Sequence, residues 1–435
     1  MTGRVPAAVL ALALIVAALG GRFAVHALQA ARNGDARDFA ILYTAGHLYR
    51  QGVGFYEPDM NNVEGVNRNA ALVAEARRLG TLHAHEGLLH IHQFSYPPFA
   101  VLPFVPFTWL GWRHAVMAWQ ALSVLLLVAA FFWVARAARL GSVPALTLAA
   151  VFLAWEPLEN SVGLGQINQL VLALVALFVW ALVSGRPALG GLALGAATAL
   201  RFHPALFIAW LAWRRQWTAC GVAAATAVVC TALATATVGW PATLEYATRV
   251  APQYGYAAVS GQLGNLSLTG WMVATGHGLL PGVPMGAWRG LGAVASLVAL
   301  GAAVAVLRPP GAAPAPRLVA EAALLSVVLL LVAPNTTINH LVFTLLPLAV
   351  LIDATLREGA AGRAAALAAA VVLIGAIDDY YQHPGLTAGP AVLLAGIKTY
   401  GLAILAVLAA TLLRVPAETH ATQPAGHPLS GATRA

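Results

Sequence analysis

The feature that most constrains this chain is the way its apolar residues gather into long runs, many of them closed by arginine. AVMAWQALSVLLLVAAFFWVA, residues 115–135, is followed by Arg136 and Arg139, and similar runs recur from the N-terminus to Arg414. About 20 apolar residues in a helix cross the ~30 Å hydrocarbon core of a bilayer. With 60% hydrophobic and only 9% charged residues, and a mean hydropathy of +0.77, the chain is excluded from the soluble globular class. It reads as an all-α polytopic membrane protein, because a helix satisfies its backbone polar groups within lipid. The net charge of +8 does not indicate nucleic acid, since the arginines sit at run ends, where they orient a membrane protein. Cys220 and Cys230 share one run, are poorly placed for a bridge, and read as small hydrophobes.

About twelve spans of roughly 16–25 residues follow from the pattern. They fall at 1–21, 114–135, 143–162, 167–184, two half-spans within 187–213, 217–238, 287–307, 318–333, 338–353, 364–379 and 392–413. The first also resembles a cleaved signal peptide, but its apolar character continues through Phe23 and Leu28, which favours an uncleaved span. Residues 187–213 read as a hairpin rather than one long helix. Pro204 disfavours helix at His203, and the hairpin puts Arg186 on the same side as Arg214 and Arg215. Arg136, Arg139, Arg186, Arg214, Arg215, Arg308, Arg317, Arg357 and Arg363 then mark cytoplasmic turns, with both termini on that side. The expected organisation is one membrane domain, 1–415, with extracytoplasmic loops at 22–96 and 239–286. PPGAAPAP at 309–316 reads as a cytoplasmic linker, and 416–435 as a disordered tail.

The first polar loop contains DFAILYTAGHLYRQGVGFYEPD, residues 38–59. Apolar residues at spacings of three and four predict an amphipathic helix from about Asp38 to Gly52. Locally, Asp38 is a helix cap. FSYPPFAVLPFVPFTWLGW, residues 94–112, has too many prolines for a regular span and reads as an interfacial segment, with Tyr96, Trp109 and Trp112 in the headgroup belt.

This topology gathers Asp38, Glu57, Asp59, Glu156, Glu159, Gln166, Asn168, Arg201, His203, Asn265, Asn335, Asn339, His340, Asp378, Asp379 and Lys398 at one membrane face. Singly, each has a structural explanation; together they favour a polar vestibule. A transporter or flippase would instead show broken helices in two related halves, and only 187–213 qualifies. A noncatalytic scaffold would leave the gathered polar residues without a purpose. His83, His85, His90 and His92 form two HxH pairs whose members share a face only if extended. They read as a surface helix or an acceptor contact, with no metal.

DFAILYTAGHLYRQGVGFYEPD, FSYPPFAVLPFVPFTWL, GQINQLVLALVAL, RFHP and APNTTINHLVFTLLPL, in that order, resemble the successive signatures of glycosyltransferase family 87. The resemblance extends over about residues 1–415. It implies a GT-C-like bundle, a polyprenyl-phosphate sugar donor such as that of the mycobacterial mannosyltransferases, a lipid-linked or glycan acceptor, and inversion at the transferred carbon. It also implies an acceptor outside the cytoplasm, in keeping with the extracytoplasmic site that the charge pattern gives. The Ala/Arg/Gly-rich composition suggests a bacterial source and hence an inner-membrane location. By the same resemblance Asp38 is the catalytic base and His340 the late-motif histidine, although Asn339 stands where a second histidine is common. Arg201 replaces a frequent lysine, which keeps the cation but offers a planar fork to phosphate oxygens.

The residue types fit that chemistry. A carboxylate can take the proton of an acceptor hydroxyl, and a polyprenyl phosphate leaves as a stable anion that cations can hold. Arg201 and His203 are the expected phosphate contacts. Tyr43, Tyr96, Gln166, Asn168, Asn265 and Asn339 are the expected substrate contacts. The scheme implies no cofactor.

Overall fold

A computed structural model describes residues 6–34, 36–58, 67–85, 88–253, 264–307, 313–375 and 383–414. Asp59, Asp378, Asp379, Arg308 and the 416–435 tail lie outside the described residues, as does part of the 309–316 linker. Apart from one two-stranded hairpin, the described regular structure is helical.

The first helix, α1, runs Ala7–Asn33. The expected loop start at Arg22 therefore falls inside a helix, where Arg22 pairs with Glu159. The polar segment then holds α2 (Arg37–Arg50), α3 (Ala70–Leu79), β1 (His83–His85) and β2 (Leu88–His90). The hairpin corrects the surface-helix reading of the histidines. Residues Pro98–Trp109 form a 3-10 helix, as the prolines demand, with Trp109 exposed. Of the expected headgroup-belt residues, Tyr96 is buried, and Trp112 is partly buried and stacks on Phe39 with centroids 5.7 Å apart.

After α4 (Trp112–Ala137), the expected span 143–162 breaks into α5 (Ser142–Leu153) and α6 (Glu156–Gly163) around Trp155 and Pro157. Next come α7 (Asn168–Val183), α8 (Pro187–Leu200), α9 (Ala205–Trp213) and α10 (Trp217–Thr237). Glycines show that 187–213 is a hairpin. A Cβ on Gly191 would meet the Ala219 oxygen at 2.7 Å, and one on Gly195 the Ala223 oxygen at 2.4 Å. Contacts that advance in the same direction make α8 and α10 parallel, so the intervening α9 must run back. Arg214, expected as an interfacial charge, is instead buried at the end of α9. Its Nε donates to Glu321 Oε2 at 2.7 Å.

The second polar segment carries α11 (Trp240–Glu245), a π-turn at Tyr246–Val250 and α12 (Leu268–Leu279), so it is more helical than the expected loop. The chain continues through α13 (Met285–Leu307), α14 (Ala315–Val332), a 3-10 turn at Ile338–Thr344, α15 (Leu345–Glu358), α16 (Ala361–Gly375), a 3-10 turn at Pro390–Gly396 and α17 (Ile397–Arg414). Among the described residues, seven helical segments are long and apolar enough to cross a membrane, and the other five of the expected twelve are shorter. The segments at 315–332 and 338–358, whose most apolar windows are 72% and 83% buried, form the centre of the bundle. On outer helices Leu125, Val228 and Leu297 are exposed, as lipid-facing side chains are.

Candidate active site

Four segments distant in sequence converge at the end of α2. Ala36, not Asp38, occupies the cap position, and it makes no side-chain cap bond. The Leu164 carbonyl accepts from the N–H groups of Asp38 and Phe39 at 2.9 and 3.4 Å. Helix α2 is thus capped by a distant backbone, and the Asp38 carboxylate is directed elsewhere. That approach depends on Gly165, at φ +67°, where a Cβ would stand 2.8 Å from Phe39 Cβ. Trp119 Nε1 donates to the Gly165 oxygen at 2.9 Å and holds the turn.

The next residue, Gln166, links two charges. Its amide NH2 donates to Asp38 Oδ2, and its Oε1 accepts from Arg201 at 3.2 Å. Arg201 follows the last turn of α8 in an extended conformation, φ −144° and ψ 130°, where Pro204 breaks the helix. Its guanidinium lies 5.1 Å from the Tyr96 ring centroid, a cation–π contact. Its NH1 reaches His340 Nε2.

His340 is oriented from behind. The Thr337 N–H donates to its Nδ1 at 2.9 Å, which leaves the hydrogen of the neutral ring on Nε2. Two donors, His340 Nε2–H and Arg201 NH1, therefore converge, an arrangement that an anionic oxygen would satisfy. Among the described residues, Arg201 Nε and the buried His203 Nε2 have no hydrogen-bond partner. Beyond His203 lies an apolar cleft lined by Leu172, Ala176, Phe207, Leu329, Phe343 and Leu346.

Burial pushes the Asp38 carboxyl up to about 6, against the opposing pull of Arg201, the Gln166 hydrogen bond and Arg37. A carboxylate has about four lone-pair positions, so the bond from Gln166 leaves room for an incoming hydroxyl.

Several residues expected to contact substrate have partners within the protein. The Tyr43 hydroxyl donates to the Leu110 oxygen at 2.8 Å. Asn265 donates to the Pro334 oxygen at 2.9 Å and accepts from the Ser267 and Thr336 N–H groups, so its amide joins two backbone segments. Asn168 donates to the Asn339 oxygen at 2.8 Å, and Asn339 Oδ1 accepts from Thr337 at 2.5 Å. These last two brace the His340 turn. Glu57 accepts from the Arg68 and Asn69 N–H groups, and Glu156 pairs with Lys398 at 3.1 Å. The sequence reading missed Gly165 and Thr337, whose roles lie in the backbone. It also missed Arg249, which donates to the Glu57 and Pro58 oxygens at 2.6 and 2.7 Å and joins the two polar segments.

The fold and this chain of polar groups define an all-helical, multi-pass membrane protein with a carboxylate and a cation joined through one glutamine. Residues 94–334, more than half the chain, match the model of Glycosyltransferase family 87, and the chain belongs to that family. It is 34% identical over 173 residues to a polyprenol-phosphate-mannose-dependent alpha-(1-2)-phosphatidylinositol mannoside mannosyltransferase of Mycobacterium tuberculosis, covering 36% of this chain and 39% of that protein. The Mycolicibacterium smegmatis protein of the same description is 34% identical over 172 residues, 36% of this chain and 38% of its own length. An alpha-(1->3)-arabinofuranosyltransferase of Corynebacterium glutamicum is 30% identical over 169 residues, 37% of this chain and 39% of that protein. The matched stretch thus spans about two fifths of each of these relatives. No solved structure matches the chain.

Proposed function

We propose that this protein is an inverting membrane glycosyltransferase that moves a hexose, mannose, from a polyprenyl-phosphate donor to a lipid-linked or envelope glycan acceptor. The observation that carries the reading is the hydrogen-bonded Asp38–Gln166–Arg201 chain with His340 Nε2 beside the guanidinium. At one end stands a base and at the other a pair of convergent donors. The acceptor oxygen attacks the anomeric carbon as its proton passes to Asp38. The bond from that carbon to the phosphate oxygen breaks, and its electron pair leaves with the polyprenyl phosphate. Arg201 and His340 hold the resulting anion, with His203 beside them. The apolar cleft beyond His203 suits a prenyl chain.

Family membership and the names of the mannosyltransferase relatives support the donor class. Purified protein incubated with radiolabelled polyprenyl-phosphate mannose and a phosphatidylinositol mannoside should yield labelled glycolipid and free polyprenyl phosphate. Preferential transfer of arabinofuranose would refute mannose alone. No transfer from any polyprenyl-phosphate sugar to lipid or glycan acceptors would refute the transferase reading.

The arginine pattern supports a site that faces away from the cytoplasm, and the bacterial relatives support an inner-membrane location. In a background lacking Cys220 and Cys230, a cysteine replacing the exposed Ala74 of α3 (Ala74→Cys) should label from outside intact cells, and Ala361→Cys at the start of α16 should not. The reverse pattern would invert the topology.

A further inference from the structure

We propose that His83, His90 and His92 form a binding site for one divalent transition-metal ion, with zinc the best match, on the hairpin of the first polar segment. Strands β1 and β2 pair antiparallel with His83 directly opposite His90. Residues two apart in an extended chain share a face, so His92 joins His90 there, and the cross-strand register brings His83 to the same face. The ring centroids are 4.4 Å apart for His83–His90, 4.8 Å for His83–His92 and 4.9 Å for His90–His92. One nitrogen from each ring lies within 4.8 Å of the others. Tetrahedral zinc with Zn–N bonds of ~2.0–2.1 Å needs nitrogens about 3.4 Å apart, a distance that ring rotation can close.

The donor set selects the ion. Three neutral imidazoles without thiolate or carboxylate suit zinc or its neighbours rather than calcium or magnesium, which take oxygen ligands. The frame is built rather than incidental. His90 is buried, Ile91 and Phe94 are fully buried beside it, and Asn67 Nδ2 donates to the His92 carbonyl at 3.0 Å. His83 also borders a recess with Gly80 and Thr81.

Strands of three residues do not make a stable hairpin alone, and a metal would fasten them. The hairpin is in turn tied to α2, because Thr81 Oγ1 and Thr44 Oγ1 are hydrogen-bonded at 2.9 Å. The ion would stiffen the support of the helix that carries Asp38. The site stands independently of the transferase reading.

The test uses full-length protein without a polyhistidine tag, stripped with chelator in detergent and titrated with zinc or cobalt. About one zinc per chain is expected by elemental analysis, with tetrahedral cobalt bands in the visible spectrum and a higher melting temperature with zinc. His83→Ala and His92→Gln should each weaken zinc binding by at least about tenfold and abolish the zinc-dependent melting shift. If His90→Ala fails to fold, these more exposed positions still decide the matter. Absence of zinc binding by wild-type protein, or equal binding by His83→Ala and His92→Gln, overturns the proposal.

Discussion

The side-chain amide of Gln166 donates to the carboxylate of Asp38 across 128 residues of sequence. One end of that amide holds the carboxylate while the other faces Arg201, so the two charges are spaced by a neutral group and do not form a direct ion pair. A direct pair would hold the carboxylate charged and make it a weaker base. The glutamine permits both a raised basicity and a fixed position.

Asp38→Asn keeps an oxygen that can accept from Gln166 but removes the base. Transfer should fall by about 10²–10⁴-fold while donor affinity stays within about twofold. Because the variant no longer buries a carboxylate, its melting temperature at neutral pH should equal or exceed that of wild type. Near wild-type transfer would remove Asp38 from the mechanism.

The transfer rate should depend on pH through the same group. With Asp38 near 6, the active carboxylate is lost below that pH, and the rate should fall about tenfold per pH unit. The Gln166 hydrogen bond lowers this pKa, so Gln166→Leu should move the inflection upward. Stability runs the other way. The folded value lies above the unfolded one, so this group favours folding most below pH about 4, and the contribution is lost as pH rises through 6. An inflection unmoved in Gln166→Leu would separate the glutamine from the base.

For Arg201, donor and acceptor affinities separate the roles. Arg201→Ala should weaken donor binding at least about tenfold and leave acceptor binding nearly unchanged. Arg201→Lys should restore part of the loss, because charge survives while the fork is lost. Titration with a non-transferable donor analogue reads both effects.

Much of the fold was legible because long apolar runs leave few alternatives in lipid, and the α8–α9 hairpin followed from Pro204 and the flanking arginines. Arg201 stands out for a related reason, since a charge in an apolar setting needs a partner, whereas Asp38 and His340 are singled out through the order of the family-like motifs. The Gln166 link between Asp38 and Arg201 is not visible in the sequence. Tyr43 and Asn265 have equally suitable chemistry, yet their partners are the Leu110 and Pro334 carbonyls, which no local pattern reveals. Gly165 has the opposite difficulty: its importance lies in the absent Cβ, visible only once Phe39 stands against it. The paired histidines depended on a strand register that short segments do not encode strongly.

The buried pair Arg214–Glu321 offers a stability test away from the site. Trp210 and Arg317 also donate to this carboxylate, at 3.0 and 2.9 Å. Glu321→Gln should cost about 3–5 kcal/mol, because it leaves a buried guanidinium uncompensated. Thermal unfolding in detergent would show it, and a change below about 1 kcal/mol would mean that water or relaxation replaces the carboxylate.

Helix α8 has 14 residues and rises about 21 Å before Arg201, less than the ~30 Å thickness of the hydrocarbon core. With Arg186 at one membrane surface, as the arginine pattern implies, Arg201 stops well short of the opposite surface, and tilt of the helix leaves it deeper still. A lipid whose charged head is drawn to this arginine has to sink beneath the plane of its neighbours. With Arg201 as the phosphate contact, the rate of transfer should then depend on bilayer thickness, rising in thinner membranes where the headgroup sinks less.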